Sequence, residues 1–471
     1  MEAQFQVLAF CDTMMNWVFV SVAFLMLAST AEGSDTLNEV QASEILGQIG
    51  KGEPVKYDHV IIVGDLDLSW LELEMESDGL DAPDLKGKKI VKSPIQIRNS
   101  EIQGQVNFSE VIFLESIDFA NAKFHGNVYF FDAVFEGYVN FRNSYFDEEA
   151  YFEGAIFNEW AYFNEAKFDR YANFMNSKFD KRADFKYSRF QDYIEFQEAV
   201  FEADARFWET EFDNDAKFMN VEFSQDAEFW GARFGGDANF AGSNFARYAY
   251  FNDNPSSKLS GAKFNKSLIL DGTVIYKMWL YEVDLDEESR ISLNNSAFSQ
   301  LFVRWDAIKD HLIYDGAAYL ALIKNFKNIE YFGDADDCYY QYRRNSQSRK
   351  SWRELSMYVD ILSWISCGYG VRLLHTILSG LSVMVVFGLY FLLRLGVTGV
   401  DKAELKQKFK KSLSFSAIVL ISAPSDWYPF GKRKYSKLIK LYIYSAIFER
   451  LIGYGLLVLL IGVLSRLMIR Y

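Results

Sequence analysis

The sequence predicts a mainly β chain in which a stacked solenoid is followed by helices, two of them membrane-spanning. Three observations predict this fold class. Phenylalanine recurs at alternating steps of five and six residues from Phe108 to Phe251. A small or branched residue lies two positions before nearly every one of these rings. Two long apolar runs lie near the C-terminus, at 376–393 and 451–469.

Composition limits the function classes. The 471 residues are 50% hydrophobic and include 43 phenylalanines, enough to fill a sizeable core. The net charge of -15 excludes a basic footprint for nucleic acid, so no nucleic-acid partner is predicted. The three cysteines, Cys11, Cys338 and Cys367, lack the spacing of metal ligands.

No residue pattern indicates an enzyme. The sequence shows neither a nucleophile motif nor a glycine-rich phosphate loop. The four histidines are scattered, and each is interpreted as structural: His59, His125, His311 and His375. We therefore predict no catalytic residue, no cofactor site and no metal site.

Residues 1–31 are predicted to be a signal peptide. An apolar run from Trp17 to Ala28 is too short to span a bilayer, and Ser29 and Ala31 fit the small-residue cleavage rule. The segment before this run carries Glu2 and Asp12 and lacks a basic residue. An uncleaved anchor and a buried segment stay open as alternatives.

The phenylalanine repeat excludes a helix and favours extended chain. On a helix of about 100° per residue, steps of five and six turn successive rings by about 140° and 120°, so they share no stripe. In extended chain, residues two apart share a face. A small residue and a ring therefore point inward on each side of a coil, and the rings should stack at about 4.8 Å, the spacing of paired strands. Repetition at a short fixed period is typical of a solenoid.

The repeat resembles the pentapeptide-repeat family, which places a small residue two before a central Leu or Phe. The motif reads ADF, ANF, AKF and AEF here, and the resemblance covers about 91–270. It implies a right-handed quadrilateral β-helix with one repeat per side. The alternate six-residue steps depart from a strict period of five, so two sides of five and two of six give a coil of twenty-two. We predict an N-terminal cap over 32–90 and the solenoid over 91–275, with its register broken at Asn254–Ser257.

The outside of the predicted solenoid is acidic. Residues 108–251 contain 27 acidic and 13 basic residues, a net charge of -14. This charge serves solubility in one interpretation and forms a binding surface for a basic protein in another. The resemblance also implies a third alternative, an acidic DNA mimic that inhibits a DNA-processing enzyme.

Residues 276–370 are predicted to be a helical region beside the membrane. Amphipathic patterns indicate two helices around Gly333-Asp334. A basic group follows, for which a lipid head-group contact and a solvated helix face stay open: Arg343, Arg344, Arg349, Lys350 and Arg353.

Residues 371–471 are predicted to form a two-transmembrane module. Thr376–Leu393 is free of charge throughout, and Leu451–Ile469 is interrupted only by Arg466. Between them, the short apolar run Leu413–Pro424 cannot span but can re-enter the membrane.

This layout resembles the potassium-channel-like pore module over about 372–470. The residues at the pore-like positions are Phe415, Ser416, Ser422, Ala423, Pro424, Ser425, Asp426 and Pro429. A GYG filter is missing at this place. Two GYG triplets lie elsewhere, and we interpret Gly368–Gly370 as a turn and Gly453–Gly455 as a site of close helix packing.

Two cues place the solenoid outside the cytoplasm, at the plasma membrane. Residues 395–450 carry 11 basic and 4 acidic residues, which favours a cytoplasmic position for them, and the N-terminal run favours export. The pore resemblance implies the opposite orientation. The sequence thus predicts a non-enzymatic membrane protein that presents an acidic scaffold to a basic partner. An ion channel or sensor built as a homotetramer is the alternative.

Overall fold

The computed structural model describes residues 37–76, 85–254, 256, 258–394, 402–421 and 437–468. It confirms the predicted fold class: a parallel β-solenoid of about 12 turns is followed by helices. The chain divides into two compact units, residues 1–171 and 172–471, which are described in turn. The predicted signal peptide lies outside the described residues.

The described residues of the first unit form solenoid coils and one short α-helix, α1 (Ala42–Gly50). Its strands are β1 (Asn38–Gln41), β2 (Val55–Asp58), β3 (Val60–Val63), β4 (Leu66–Asp67), β5 (Lys89–Val91), β6 (Ile95–Arg98), β7 (Glu101–Ile102), β8 (Val106–Asn107), β9 (Val111–Phe113), β10 (Ile117–Asp118), β11 (Lys123–Phe124), β12 (Val128–Tyr129), β13 (Val134–Phe135), β14 (Val139–Asn140), β15 (Tyr145–Phe146), β16 (Ala150–Tyr151), β17 (Ile156–Phe157), β18 (Ala161–Tyr162) and β19 (Lys167–Phe168).

Coil partners in the first unit have the predicted separation. Asp118 and Asn140, which pair in parallel and share a side-chain hydrogen bond, are 22 residues apart. Phe124 pairs with Phe146 in the same register. Four strands make one coil, because the four strands β10 to β13 follow one another before β14 pairs with β10. Such a coil agrees with sides of alternately five and six residues.

Strands also lie upstream of the predicted solenoid range, within the predicted cap. Val55 pairs with Ile95, and Leu66 pairs with Val106. Valine, isoleucine and leucine occupy the inward positions here, so the phenylalanine signal is missing although the coil continues. The predicted cap also contains helix α1, whose Ile45, Leu46 and Ile49 are buried.

The second unit continues with the strands β20 (Ala172–Asn173), β21 (Lys178–Phe179), β22 (Ala183–Asp184), β23 (Arg189–Phe190), β24 (Ile194–Glu195), β25 (Val200–Phe201), β26 (Ala205–Arg206), β27 (Glu211–Phe212), β28 (Ala216–Lys217), β29 (Glu222–Phe223), β30 (Ala227–Glu228), β31 (Arg233–Phe234), β32 (Ala238–Asn239), β33 (Asn244–Tyr250), β34 (Lys263–Phe264), β35 (Leu268–Ile269), β36 (Val274–Trp279), β37 (Asp284–Leu285), β38 (Ile291–Ser292) and β39 (Ala297–Phe302). Its helices are α2 (Trp305–Ile308), α3 (Gly316–Asn328), α4 (Phe332–Ser348), α5 (Leu355–Cys367), α6 (Leu373–Arg394), α7 (Lys402–Ile421) and α8 (Lys437–Met468).

The predicted register break is an insert, after which the solenoid goes on. Phe234 pairs with Phe264 across the insert, and Asp237 accepts a hydrogen bond from the amide of Ser267, 30 residues later. This one coil is therefore longer than those before it. Coils then continue to Phe302, beyond the predicted limit of 275. Aliphatic side chains replace the rings that marked the repeat, because Leu280 and Val303 are buried at the place of Phe251 on the next two coils.

The phenylalanines form two kinds of ring contact inside the coils. Rings at the same place on successive coils are stacked, with centroids 4.8 Å apart for Phe179–Phe201 and 5.1 Å for Phe185–Phe207. The rings that end six-residue steps also meet edge to face across the coil, as Phe196–Phe207 does at 5.6 Å and 81°. The stacking agrees with the predicted spacing, and the edge-to-face contacts link two sides of the coil.

The two step lengths correspond to two kinds of corner. Every eleventh residue from Glu110 to Gly242 has a positive φ, and this residue always lies in a five-residue step. Its type varies, as Asn143, Tyr187 and Gly231 show. The left-handed conformation turns the chain sharply. The six-residue steps over the same stretch contain no such residue in the described chain, and we infer that the added residue completes their wider corner.

The last three helices form a bundle in which α7 packs between α6 and α8. The helices α6 and α8 are antiparallel, since Ser445 contacts Tyr390 near one end while Arg466 lies at the other. A Cβ added at Gly453 would lie only 2.2 Å from the carbonyl oxygen of Leu420, whereas one at Gly455 would meet nothing within 4 Å. Within the second GYG triplet, Gly453 is therefore the residue that makes the predicted close helix packing, against Leu420 of α7.

Among the described residues, two helices are long and apolar enough to cross a membrane, Leu373–Arg394 and Tyr444–Arg466. They correspond to the two predicted spans. Only 22% of the first apolar window and 17% of the second are buried within the chain. Most of their apolar surface is thus left uncovered by the described residues.

Candidate functional site

The outer face of the solenoid carries charge ladders that run from coil to coil. In the second unit Lys217 pairs with Glu195 at 2.5 Å, and Arg233 pairs with Glu211 at 2.8 Å, each between neighbouring coils. Opposite charges on neighbouring strands stabilise a sheet modestly. Because acidic residues outnumber basic ones two to one over 108–251, such pairs leave an acidic excess on this face.

One carboxylate of this face is largely buried. Glu228 accepts a hydrogen bond of 2.6 Å from the Trp208 indole nitrogen and lies 3.3 Å from Arg206. Burial raises the pKa of the Glu228 carboxyl above its ordinary value, against the opposing effect of these two partners. Trp208 also lies near Trp230, with ring centroids 5.2 Å apart, so this part of the surface is aromatic as well as acidic.

His125 lies in a ladder of the first unit between two carboxylates. Its Nδ1 is 2.6 Å from Asp147 and its Nε2 is 3.3 Å from Glu101. These partners belong to neighbouring coils. In the described residues no group of three or more His, Cys, Asp or Glu side chains is arranged to hold a metal ion.

The last coil is joined to helices α3 and α4 through buried polar side chains. Asn325 of α3 exchanges two hydrogen bonds with the backbone of Leu301 in β39, of 2.9 and 2.7 Å. Asp334, at the start of α4, accepts a bond of 3.1 Å from the Trp305 amide and pairs with Arg304 at 3.0 Å. The end of the solenoid in the second unit is therefore fixed to α4.

Helix α4 is joined in turn to both apolar helices. Asp336 pairs with Arg466 near the end of α8 at 2.7 Å, and Asp337 pairs with Arg372 just before α6 at 2.8 Å. These two adjacent carboxylates bind the start of α6 and the end of α8, which lie at the same end of the antiparallel pair. We call Asp334, Asp336 and Asp337 with their partners the junction.

The basic group after α4 is engaged within the chain. Asp360 of α5 is buried between Arg343 at 2.5 Å and Lys350 at 2.6 Å. Arg344 lies over the Trp364 ring and Arg349 over the Tyr314 ring. These four side chains therefore contact the protein itself, but Arg349 is exposed and the other three are partly exposed, so the lipid contact and the solvated face both stay predictions.

The two helices predicted around Gly333-Asp334 exist, but their boundary lies earlier. Helix α3 ends at Asn328 and α4 begins at Phe332, so both predicted boundary residues belong to α4. The first GYG triplet is a turn, as predicted, with positive φ at all three residues.

The structure describes two of the eight pore-like residues. Phe415 is buried against Phe391, with ring centroids 5.2 Å apart. Ser416 is fully buried and contacts the Met384 carbonyl of α6 and Glu449 of α8. Both pack between helices. The others lie outside the described residues: Ser422, Ala423, Pro424, Ser425, Asp426 and Pro429.

The segment predicted to re-enter is the apolar half of α7. Gly388 of α6 lies beside Leu413, whereas Ile421 lies with Thr376 and Ile377 along one groove. The apolar half of α7 therefore runs antiparallel to α6 and ends beside its first turns. Sequence reasoning missed the junction and Glu449, because their partners are far apart in the chain and follow no local pattern.

Residues 130–253 match the family model described as Pentapeptide repeats (9 copies), in the segments 130–174, 163–211 and 207–253. No family model supports the potassium-channel-like resemblance of the C-terminal region. Neither the curated proteins nor the solved structures contain a match to the chain. The regular coil register, the inward phenylalanines and this match together identify residues 130–253 as pentapeptide repeats within the β-solenoid.

Proposed function

We propose that this chain is a non-enzymatic scaffold anchored in the plasma membrane. Helices α6 and α8 hold it in the bilayer, and the acidic solenoid binds a basic protein partner. The observation that carries this proposal is the junction, which ties the last coil of the second unit to the ends of both apolar helices. Such a connection suits a protein that displays its solenoid from a membrane.

Uncovered apolar surface supports the membrane anchor. Val386 of α6 and Val458 of α8 are 63% and 68% exposed, within helices long enough to span the hydrocarbon core. Exposed apolar stretches of this length are unfavourable in water. A bilayer would cover them.

The charge of the chain supports an extracytoplasmic solenoid. The junction places the start of α6 and the end of α8 on one side of the bundle, so the strongly basic residues 402–411 belong with the opposite ends. The positive-inside rule then favours a cytoplasmic position for those residues. The coils joined to α4 would lie on the outer side.

Cysteine accessibility tests this orientation. We expect Lys406→Cys, on the exposed polar half of α7, to react with a membrane-impermeant maleimide only after cells are permeabilised. Glu222→Cys, exposed on β29, should react in intact cells. Both variants are made with Cys11→Ser, and the chain with Cys11→Ser alone is the blank, since Cys338 and Cys367 are buried. Reaction of Lys406→Cys alone in intact cells would reverse the proposed orientation.

Charge reversal on the solenoid tests the scaffold role. We expect Glu202→Lys with Glu222→Lys to weaken binding of a lysine-rich peptide to the purified chain about tenfold, or about 1.4 kcal/mol. The loss should shrink as salt rises, because exposed charges are screened. Isothermal titration calorimetry at two salt concentrations measures both effects.

A matched control distinguishes the effect of charge on the solenoid from the effect of the net charge of the whole chain. Glu354→Lys with Glu404→Lys changes the net charge equally, but both residues are exposed outside the solenoid. This control should bind the peptide as the wild type does. Equal weakening by the two double variants would contradict a binding surface on the solenoid.

One observation favours the channel as a second candidate. The apolar half of α7 lies between the two apolar helices and brings the buried Ser416 against Glu449 of α8. Buried acidic and polar side chains between membrane helices are typical of ion pathways. A tetramer in native mass spectrometry would favour this candidate, and a monomer would favour the scaffold.

A further inference from the structure

Glu449 is a fully buried acid in the middle of helix α8. Its side chain is 0% exposed, enclosed where α8 meets α6 and α7. One carboxyl oxygen contacts the hydroxyl of Ser416 on α7. The other, Oε2, is buried and has no hydrogen-bond partner among the described residues.

The elements packed around Glu449 offer little to compensate a negative charge. Residues 380–388 of α6 and 412–420 of α7, within one turn of its contacts, contain no Asp, Glu, Lys, Arg or His. Within one turn on α8 the only charged neighbour is Arg450, whose guanidinium lies 5.7 Å from the Tyr454 ring centroid. No ion pair in the described part of the chain includes Glu449. An ionised carboxylate enclosed in this way is strongly unfavourable.

The hydroxyl of Ser416 faces two acceptor oxygens and lacks a second hydrogen for them. It lies 2.9 Å from the Met384 carbonyl oxygen and also contacts Glu449, yet it has one hydrogen to donate. If Glu449 carries a proton, its O–H donates to Ser416 Oγ, and Ser416 donates to Met384. Both contacts then become proper hydrogen bonds. If a metal cation is present instead, the carboxylate, hydroxyl and carbonyl supply three oxygen ligands.

We propose that Glu449, with Ser416 and the Met384 carbonyl, forms a binding site for a monovalent cation, either a proton or a sodium ion. The cation neutralises the carboxylate and joins the three helices of the bundle. Release of the cation leaves a charge among apolar side chains and loosens their packing. The site depends neither on the acidic solenoid nor on the orientation of the chain, so it can fail or stand independently of the proposed function.

Carbodiimide labelling of the wild-type chain tests the site directly. Dicyclohexylcarbodiimide is an apolar reagent that adds to protonated carboxyl groups. In detergent without sodium, we expect mass spectrometry of peptides to find Glu449 labelled, with labelling falling about tenfold per pH unit above its titration. If sodium is the ligand, raising it from about 1 to about 150 mM at constant ionic strength should protect Glu449, because the two cations compete.

Thermal unfolding of Glu449→Gln gives an independent measurement. The amide keeps the shape and can donate to Ser416, but it binds no cation. The unfolding temperature of the wild type should fall as pH rises without sodium, since a cation that binds only the folded state stabilises it. The variant should lose this dependence. Glu404→Gln, which removes an exposed carboxylate from α7, should behave as the wild type does.

The outcomes separate the cations and can overturn the site. A response to both sodium and pH that disappears in Glu449→Gln identifies sodium, and a response to pH alone identifies the proton. The same response in Glu449→Gln as in the wild type would overturn the proposal. If that variant fails to fold, the labelling decides: Glu449 unlabelled across the pH range without sodium would also overturn it.

Discussion

Phe207→Ala should destabilise the solenoid by about 3–5 kcal/mol, the usual cost of emptying a large aromatic site in a packed core. Phe207 is 0% exposed and stacks on Phe185 at 5.1 Å and on Phe229 at 4.9 Å. It also meets Phe196 and Phe218 edge to face. Phe201 and Phe212 complete a set of six neighbouring rings, among which the cavity would open. The inner side chains are held by the backbone ladder, which limits collapse.

Denaturant unfolding of the full chain, followed by tryptophan fluorescence, measures this effect, since Trp208 is the next residue. Solenoids can lose cooperativity, so the shift in midpoint is the safer quantity. Tyr193→Ala is the matched control, because this ring is 41% exposed and lies under Lys217 on the outer face. We expect a change of less than about 1 kcal/mol for it. A similar small effect of Phe207→Ala would mean that the ring ladders do not hold the coils together.

Asp360→Asn should destabilise the helical region by about 3 kcal/mol, at the low end for breaking a buried ion pair. The Asp360 side chain is 5% exposed and lies between two cations, Arg343 and Lys350, which keep 31% and 28% of their exposure. The partial exposure of these cations limits the loss. Thermal unfolding of the purified chain measures it. Asp306→Asn, in an exposed pair with Lys309, should cost less than about 1 kcal/mol.

The effect of Asp360 should depend on pH in one direction. Burial favours a higher pKa for this carboxyl, but Lys350 and Arg343 outweigh burial and hold its pKa below the ordinary value. The folded state therefore binds the proton more weakly than the unfolded state. The stabilisation is complete above the unfolded pKa of about 3.9 and is lost as pH falls toward the folded pKa. A difference between wild type and Asp360→Asn that persists unchanged at pH 2 would contradict this assignment.

The sequence predicts the core of the solenoid well because the signal is local and repeated. Phe185, Phe196 and Phe207 mark inward positions without any knowledge of tertiary contacts. The limits of the solenoid are harder to predict, since Ile62 and Leu280 fill the position of the rings without their distinctive residue type. The left-handed corners also escape prediction, because closure of the coil imposes that conformation even on Tyr187.

The candidate sites could be predicted only in part. The acidic excess of the surface follows from composition, and Ser416 was singled out through a resemblance. Its partner Glu449 is 33 residues away, and Asp336 is 130 residues from Arg466. Such pairs depend on how helices pack, and no periodicity in the sequence joins their members.

Each regular coil contains two halves that are alike inside and different outside. Both halves repeat the same inward phenylalanines, whereas an outward side chain has its neighbours one whole coil away, as Glu211 has Arg189 and Arg233. Loss or gain of a half coil during evolution would therefore preserve the core but turn all later coils by half a turn. Loss or gain of a whole coil would preserve both. Selection for folding can therefore tolerate the loss or gain of half a coil, whereas selection for surface recognition tolerates only that of a whole coil.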